Sequence, residues 1–459
     1  MTDSGDRPSG PSHADLRAPD EVVRIARRLE EAGHSTWAVG GAVRDALAGH
    51  GEGKDWDLAT AARPGEVQRL FRRTVPVGIA HGTVGVVGKD GRMYEVTTFR
   101  RDVETDGRHA RVSFSDTVEE DLQRRDFTIN AVAWHPLRHE VRDPHGGVPD
   151  LRDGLLRTVG DARERFREDR LRVLRALRFA GRFGLRIDPA TWAAAREAAP
   201  ELPHLSAERV REELMKVLKE VKRPSDALRL YEGSGALASL YPELQACVGV
   251  PDGDEDVWGH LLRTADAAPP ARIHLRLTGL LHDVGKARGE DGHAEVGAAL
   301  ARGMMTRLKF SNAERDRVLH LVAQHEGLPA SDAPAPEVRR WLRRVGREYV
   351  HDLLRLEVAN ASGRPHPDPA RIREAEALRR RADAEMRAGA ALEIGDLAIG
   401  GDELRALGVA AGPAMGEILR DLLERVTDDP SLNTPDALTE IVRERLDEDD
   451  SSPPRTSSS

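Results

Sequence analysis

The sequence predicts an α+β protein: a small mixed sheet with helices in its first third, then an extended body that is almost wholly α-helical. Three observations carry this. Residues 82–99, GTVGVVGKDGRMYEVTTF, alternate apolar side chains on both sides of a KDG turn, the pattern of a β-hairpin. TWAVGG at residues 36–41 reads as a short strand that turns on a glycine pair into the helix AVRDAL. From about residue 160 to 445, strand signals nearly vanish and apolar residues recur at helical spacing between Gly and Pro breaks.

In chain order, residues 1–18 and 447–459 are polar, Ser/Pro-rich and aperiodic, and are expected to be disordered tails. A head follows at residues 19–155, opened by the amphipathic helix EVVRIARRLEEAG, which Gly33 ends. A helical neck is expected over 156–250. Residues 251–365, after the acidic PDGDED, carry a His/Asp pattern of their own, and 366–446 form a last helical module. A chain of 459 residues is too long for one core and suits about three domains. With 39% hydrophobic and 32% charged residues the composition is that of a globular protein, and no run approaches the roughly 20 apolar residues of a membrane span. No membrane association is expected. The first residues lack the basic and apolar stretches of a secretory signal, and Cys247 is the only cysteine, which reads as cytoplasmic and free of disulfides. A net charge of −9 excludes a wholly basic nucleic-acid coat, so any RNA contact must rest on local basic patches. Only seven of the 69 Lys and Arg residues are Lys, so arginines are weighed here by position and not by number. Nothing in the sequence points to an oligomeric state.

Four strings carry chemistry. In DWD, side chains on a strand alternate faces, so Asp55 and Asp57 point the same way and can share Mg²⁺ for phosphoryl-type transfer; alone, the string is equally a surface loop. In GGAVRD, Gly40 and Gly41 let backbone approach a phosphate at a helix start, and Arg44 adds a charge-assisted contact; alone, a glycine pair is a plain turn. RRDFTINA, residues 124–131, sets cations and a carboxylate side by side, where Asp126 or Thr128 could equally be a helix cap. EDRLRVLRALRFA places Glu168, Asp169, Arg172, Arg175 and Arg178 on one expected helix, with Asp169 and Arg172 neighbours at i, i+3. An Asp/Arg pair can accept from the exocyclic amine and donate to the ring edge of cytosine and adenine, and it opposes uracil and guanine. The plain alternative for that helix is a solvated, salt-bridged face.

In this order and spacing, GGAVRD, DWD and RRDFTINA resemble the nucleotidyltransferase superfamily of DNA polymerase β type, and within it the bacterial class II branch of tRNA CCA-adding enzymes and poly(A) polymerases. The resemblance implies catalytic, Mg²⁺-binding Asp55 and Asp57, a nucleotide site at Gly41, Arg44 and Arg125, and base selection by Asp169 and Arg172. It places Arg175 and Arg178 nearer the triphosphate, and Asp126 and Asn130 as holders of local structure. Residues 99–122 resemble the family's flexible loop, and ERVREEL at 208–214 the motif that ends its neck, where the plain reading is an amphipathic helix. The implied partners are tRNA, CTP and ATP. The acidic C-terminal end disfavours the poly(A) polymerase alternative.

HLLRTAD with His260, LLHDVGKA with His282 and Asp283, then His293 and His325, resemble the HD phosphohydrolase domain. The resemblance implies a divalent transition metal or Mg²⁺ on those five residues. Such domains end with an Asp ligand in an RADA-like helix; the matching stretch, LLRLEVANASG, sets Val358 about there, with Glu357 as the substitute. Two other readings follow: phosphohydrolysis as the main activity, and a catalytically silent RNA-binding protein, which Asp55 and Asp57 oppose.

Overall fold

A mixed seven-stranded sheet forms the centre of the head in the computed structural model, which describes residues 16–49, 56–105, 110–289 and 291–451. The expected disordered tails lie largely outside the described residues, although the last helix, Pro435–Ser451, continues past residue 446. The chain divides into two compact units, Met1–Pro242 and Glu243–Ser459. No helix among the described residues is long and apolar enough to cross a membrane.

The strands of this sheet and of a separate hairpin are β1 Thr36–Val39, β2 Asp57–Thr60, β3 Thr74–Gly78, β4 Thr83–Val87, β5 Met93–Thr98, β6 Arg100–Thr105, β7 Ala110–Phe114, β8 Ala133–Trp134 and β9 Val141–Arg142. The sheet order is β3-β4-β5-β2-β1-β8-β9. Only β2 and β5 run parallel; the other neighbours are antiparallel. The first ten α-helices are α1 Asp20–Glu31, α2 Gly41–Leu47, α3 Pro64–Leu70, α4 Val118–Gln123, α5 Gly147–Arg152, α6 Ala162–Glu168, α7 Leu171–Phe183, α8 Pro189–Ala198, α9 Ala207–Glu220 and α10 Pro224–Ser234.

Alternation on the strands feeds two cores, one on each face of the sheet. Ala38, Leu58 and Val96 join Ile25 and Leu29 of α1 in one core. Trp37, Val39 and Ala59 join Phe99, Leu122 and Ala131 in the other. The expected hairpin is β4–β5, with Gly91 at φ +78° in its turn. Residues 99–122, expected as a flexible loop, contain a second hairpin, β6–β7, in which Arg100 pairs with Phe114; residues 106–109 lie outside the described residues.

One expectation changes shape. Asp169 does not sit within a single helix: α6 ends at Glu168, Asp169 is extended (φ −150°, ψ 105°), and α7 begins at Leu171. The Asp169 carboxylate accepts from the Leu171 N–H at 3.1 Å, so the side chain satisfies a first-turn donor of a new helix and does not continue the old one.

The second unit is helical apart from one short antiparallel strand pair among the described residues. Its helices Val257–Ala267, Ile273–Leu281, His293–Arg307, Asn312–Gln324 and Val350–Ser362 carry the His/Asp pattern. Two further apolar clusters fill it. One is built around Trp341, Leu353 and Leu378, the other around Leu404, Leu422 and Leu438.

In the first unit α7 packs on α10 through Gly181, where a Cβ would stand 2.6 Å from the Ala227 backbone nitrogen and 2.7 Å from its Cα. Backbone cannot rotate away as a long side chain can. Gly181→Ala is therefore expected to lower the stability of this unit by about 1–3 kcal/mol, read as a lower urea midpoint. An unchanged midpoint would show that the helices separate at no cost.

Candidate active site

All of the expected catalytic and nucleotide-binding residues except Asp55 line one cleft of about 640 Å³: Gly41, Arg44, Asp57, Arg125, Asp169, Arg172, Arg175 and Arg178. Asp55 lies outside the described residues. Ten basic side chains and five carboxylates line the cleft, a surplus of positive charge that suits a polyanion.

Asp57 is the first residue of β2 and pairs in register with Val39. The parallel register Leu58↔Val96 sets Asp57 beside Glu95 on β5, both pointing to the face opposite Leu58 and Val96. Glu95 also lines the cleft, and the sequence reading missed it. Alternation within the hairpin was visible, but nothing local says that β5 lies against β2. Gly40, at φ +79°, takes a backbone form that favours glycine. A Cβ there would lie 3.4 Å from an Arg125 guanidinium nitrogen and 3.6 Å from an Asp57 oxygen, so the turn passes close under both side chains.

Arg44 is buried, with its guanidinium over the rings of Phe179 and Phe183 at 5.1 and 4.5 Å. It donates to Asp45 at 2.6 Å and, through its other arm, to Asn130 Oδ1 at 2.7 Å. Asn130 Nδ2 donates to Asp126 Oδ1 at 2.9 Å, and Arg175 Nε donates to Asp126 Oδ2 at 2.8 Å. A continuous relay thus joins GGAVRD, RRDFTINA and EDRLRVLR. Burial alone would raise the Asp126 carboxyl, but the Arg175 guanidinium, the Asn130 amide and the Phe127 N–H outweigh it and hold the group below its usual range. Arg125 bonds Asp121 at 3.0 Å, and Arg124 bonds the same buried carboxylate at 3.2 Å.

The base-edge candidates are each held by a partner. Asp169 Oδ2 accepts from Arg209 at 2.7 Å, and Arg172 pairs with Glu168 and donates to the Arg165 carbonyl at 3.1 Å. Arg178 is buried between Glu213 at 2.7 Å and Glu220 at 2.9 Å. Arg209 and Glu213 belong to ERVREEL, so that stretch does more than present an amphipathic face. Its carboxylates at a spacing suited to pairing with the arginines of α7 were the available signal.

In the second unit the four expected histidines converge on the fifth expected residue, Asp283. His260 and His282 Nε2 lie 3.4 and 3.3 Å from its Oδ2; His293 and His325 Nε2 lie 3.2 and 3.1 Å from its Oδ1. Ligand atoms of the two triads that share Asp283 are close enough for each triad to hold an ion. The Nδ1 atoms of His282 and His325 are within hydrogen-bond distance of the Gly279 and Val322 carbonyls, at 3.0 and 2.7 Å. A carbonyl only accepts, so both Nδ1 atoms carry the proton and both Nε2 lone pairs point inward. Those lone pairs sit 3.2 Å from His260 Nε2 and 3.3 Å from His293 Nε2. Acceptors packed against a carboxylate in this way fit a divalent cation. Burial and the neighbouring His282 push His260 down to about 3, so it is neutral and free to ligate. Glu357 is engaged by Arg371.

A mixed sheet that aims strand carboxylates into a basic cleft defines the class of a nucleotidyltransferase head, here followed in sequence by helices and an HD-type centre. The comparisons agree. The poly A polymerase head domain matches residues 36–157, the probable RNA and SrmB-binding site of polymerase A matches 184–247, and the HD domain matches 256–366. The chain is 45% identical over 231 residues to the CCA-adding enzyme of Geobacillus kaustophilus, covering 50% of this chain and 56% of that relative. To that of Anoxybacillus flavithermus it is 46% identical over 200 residues, 43% of this chain and 50% of the relative. The chain spans about half the length of the curated relatives it matches. The crystal structure of the Bacillus stearothermophilus CCA-adding enzyme in complex with CTP superposes with a TM-score of 0.72 at 33% identity, covering 94% of this chain and 98% of that one. The chain belongs to the CCA-adding enzyme family. The Thermotoga maritima CCA-adding enzyme complexed with tRNA, 21% identical with a TM-score of 0.57 over 95% of this chain and 97% of that one, shares the fold.

The Asp126 relay yields a pH-dependent expectation. A carboxyl held below its usual value of 3.8 contributes stability that is present above that value and lost as pH falls through the lower folded-state value. Asp126→Asn cannot titrate. It is expected to cost about 1.5–3 kcal/mol at neutral pH, because the partly buried Arg175 loses a charge-assisted hydrogen bond. Its urea midpoint should then fall less than that of the wild type as the solution is acidified. Parallel curves for the two proteins would contradict the paired, ionised Asp126.

Proposed function

We propose that this protein is a tRNA nucleotidyltransferase that adds C and A, as CCA or part of it, to tRNA 3′ ends from CTP and ATP with release of pyrophosphate. The observation that carries the reading is the single cleft in which Asp57 and Glu95, a surplus of guanidinium groups and the Asp169/Arg172 pair meet. The relatives named CCA-adding enzyme support it.

Asp57 and Glu95, with Asp55, are the residues that would hold Mg²⁺. Bound there, the ion supplies charge neutralisation at the triphosphate and lowers the pKa of the attacking 3′-hydroxyl. The chain's own part is orientation and electrostatics. Gly40 and Gly41 bring backbone against the phosphates, and Arg125 lies over that turn, steadied by Asp121. Arg44, Arg175 and Arg178 contribute to the positive potential of the cleft. Because Arg175 and Arg178 already bind carboxylates, they also position Asp126 and α9.

Base choice rests on Asp169 and Arg172. The Asp169 carboxylate accepts from the exocyclic amine of cytosine or adenine, and the Arg172 guanidinium donates to the adjacent ring atom. Glu168 and Arg209 fix the two groups, so uracil and guanine meet like against like: carbonyl oxygen to carboxylate and N–H to guanidinium. In the second unit the donors around Asp283 are proposed to hold a divalent transition metal.

Three tRNA substrates, ending before CCA, after C and after CC, each offered CTP or ATP, test the reading by product length. Asp57→Ala is expected to lower incorporation by about 10³-fold or more, the worth of several kcal/mol of transition-state stabilisation, while tRNA binding in a filter assay stays near wild type. Retained incorporation would remove Asp57 from the catalytic role. Asp169→Ala should admit UTP and GTP. Unchanged rejection of both would sink the protein-template idea while leaving the reaction class intact.

A further inference from the structure

The helix Val350–Ser362 brings two polar side chains, Glu357 and Asn360, to one wall of a cavity of about 560 Å³ that Asp283, His293 and His325 also line. They lie three residues apart and so share a helix face. The sequence placed the last metal ligand at Val358 or Glu357. The structure distinguishes the candidates. Val358 does not line the cavity. Glu357 does, but both of its oxygens are bound by Arg371, which neutralises it. Asn360 is 5% exposed, and its Oδ1 has no hydrogen-bond partner.

A buried amide oxygen without a donor is uncommon, because it has given up water for nothing. The cations that line this cavity are engaged with carboxylates: Lys286 with Asp283 and Asp252, Arg364 with Asp252, Arg371 with Glu357. The other polar groups on the wall are the carboxylates of Asp283, Glu326 and Glu374 and the imidazoles of His293 and His325, the last with its Nε2 lone pair turned inward. Neither the carboxylates nor the His325 Nε2 lone pair can donate to the amide oxygen, whereas a cation can take electron pairs from them and from it together.

We infer that Asn360 Oδ1 is an oxygen ligand of a divalent cation held at Asp283, a neutral donor where an acidic one was expected, and that Arg371 keeps Glu357 out of the ligand set. This rests on the reading of the second unit as a metal centre. Imidazoles with one carboxylate and one amide oxygen suit Mn²⁺, Co²⁺ or Ni²⁺ better than Ca²⁺. Replacing an anionic ligand by a neutral one also leaves the centre more positive and its ion more weakly held than an aspartate would.

The test is Co²⁺ binding to the chelator-stripped full chain, followed by equilibrium dialysis with metal analysis and by the visible absorption of imidazole-ligated Co²⁺. Binding that disappears in His282→Ala reports this centre and not the head. Asn360→Ala is expected to weaken that binding about tenfold or more, Asn360→Asp, which keeps the side-chain shape, to tighten it, and Glu357→Gln to leave it unchanged. Wild-type affinity in both Asn360 variants overturns the assignment, as does a loss in Glu357→Gln equal to that in Asn360→Ala. A Co²⁺ signal identical in wild type and His282→Ala overturns the metal centre itself, a different result from failure of the Asn360 assignment alone.

Discussion

The relay Arg44–Asn130–Asp126–Arg175 is the interaction on which the head depends. It ties a helix start after β1, a turn before β8 and a helix of the neck, with Asn130 86 positions after Arg44 and Arg175 49 positions after Asp126. Its members are buried or partly buried and most are charged. In such surroundings a complete network rigidifies, and one with a missing member leaves a stranded charge that costs more than an apolar core would. The cleft is therefore assembled as a unit. Its two most deeply placed arginines, Arg44 and Arg178, are fixed by Asp45, Asn130, Glu213 and Glu220 before any ligand arrives.

The second unit uses the same physics with the opposite sign of deficit. Around Asp126 the members of the relay each have a partner within the protein. Around Asp283 the imidazole lone pairs, the carboxylate and the Asn360 oxygen are all acceptors, and Lys286 supplies the nearby positive charge at 2.8 Å. A satisfied network is a scaffold, whereas an excess of converging acceptors marks a place built for a cation.

Much of the site was legible before the fold was known, because short strings carry local geometry. GGAVRD specifies a glycine turn into a helix, and Gly40 takes the positive φ that such a turn needs. The KDG hairpin and the periodicity of α1 are equally local. The errors arose where a residue's meaning depends on a competing local bond or a distant neighbour. Asp169 looked helical by spacing, but its carboxylate caps Leu171 and splits the helix. Glu95 looked like one polar position in a hairpin until β5 paired with β2. Glu213 lay on a helix whose plain reading was amphipathic until α7 buried Arg178 against it.

The sequence by itself determined the class of the fold, the presence of a nucleotidyltransferase head and an HD pattern, and most of the side chains that meet in each site. The fold class follows from periodicity and turn chemistry, and the head and HD pattern from the resemblance of short strings to known families, all of which act within a few residues. Tertiary structure alone decided which carboxylate stands beside Asp57, which acids hold the arginines of α7, and that Asn360 lines the Asp283 cavity while Val358 does not. Those outcomes depend on strand order and helix packing, where burial makes each polar group find a partner far along the chain, and no local pattern encodes which partner that is.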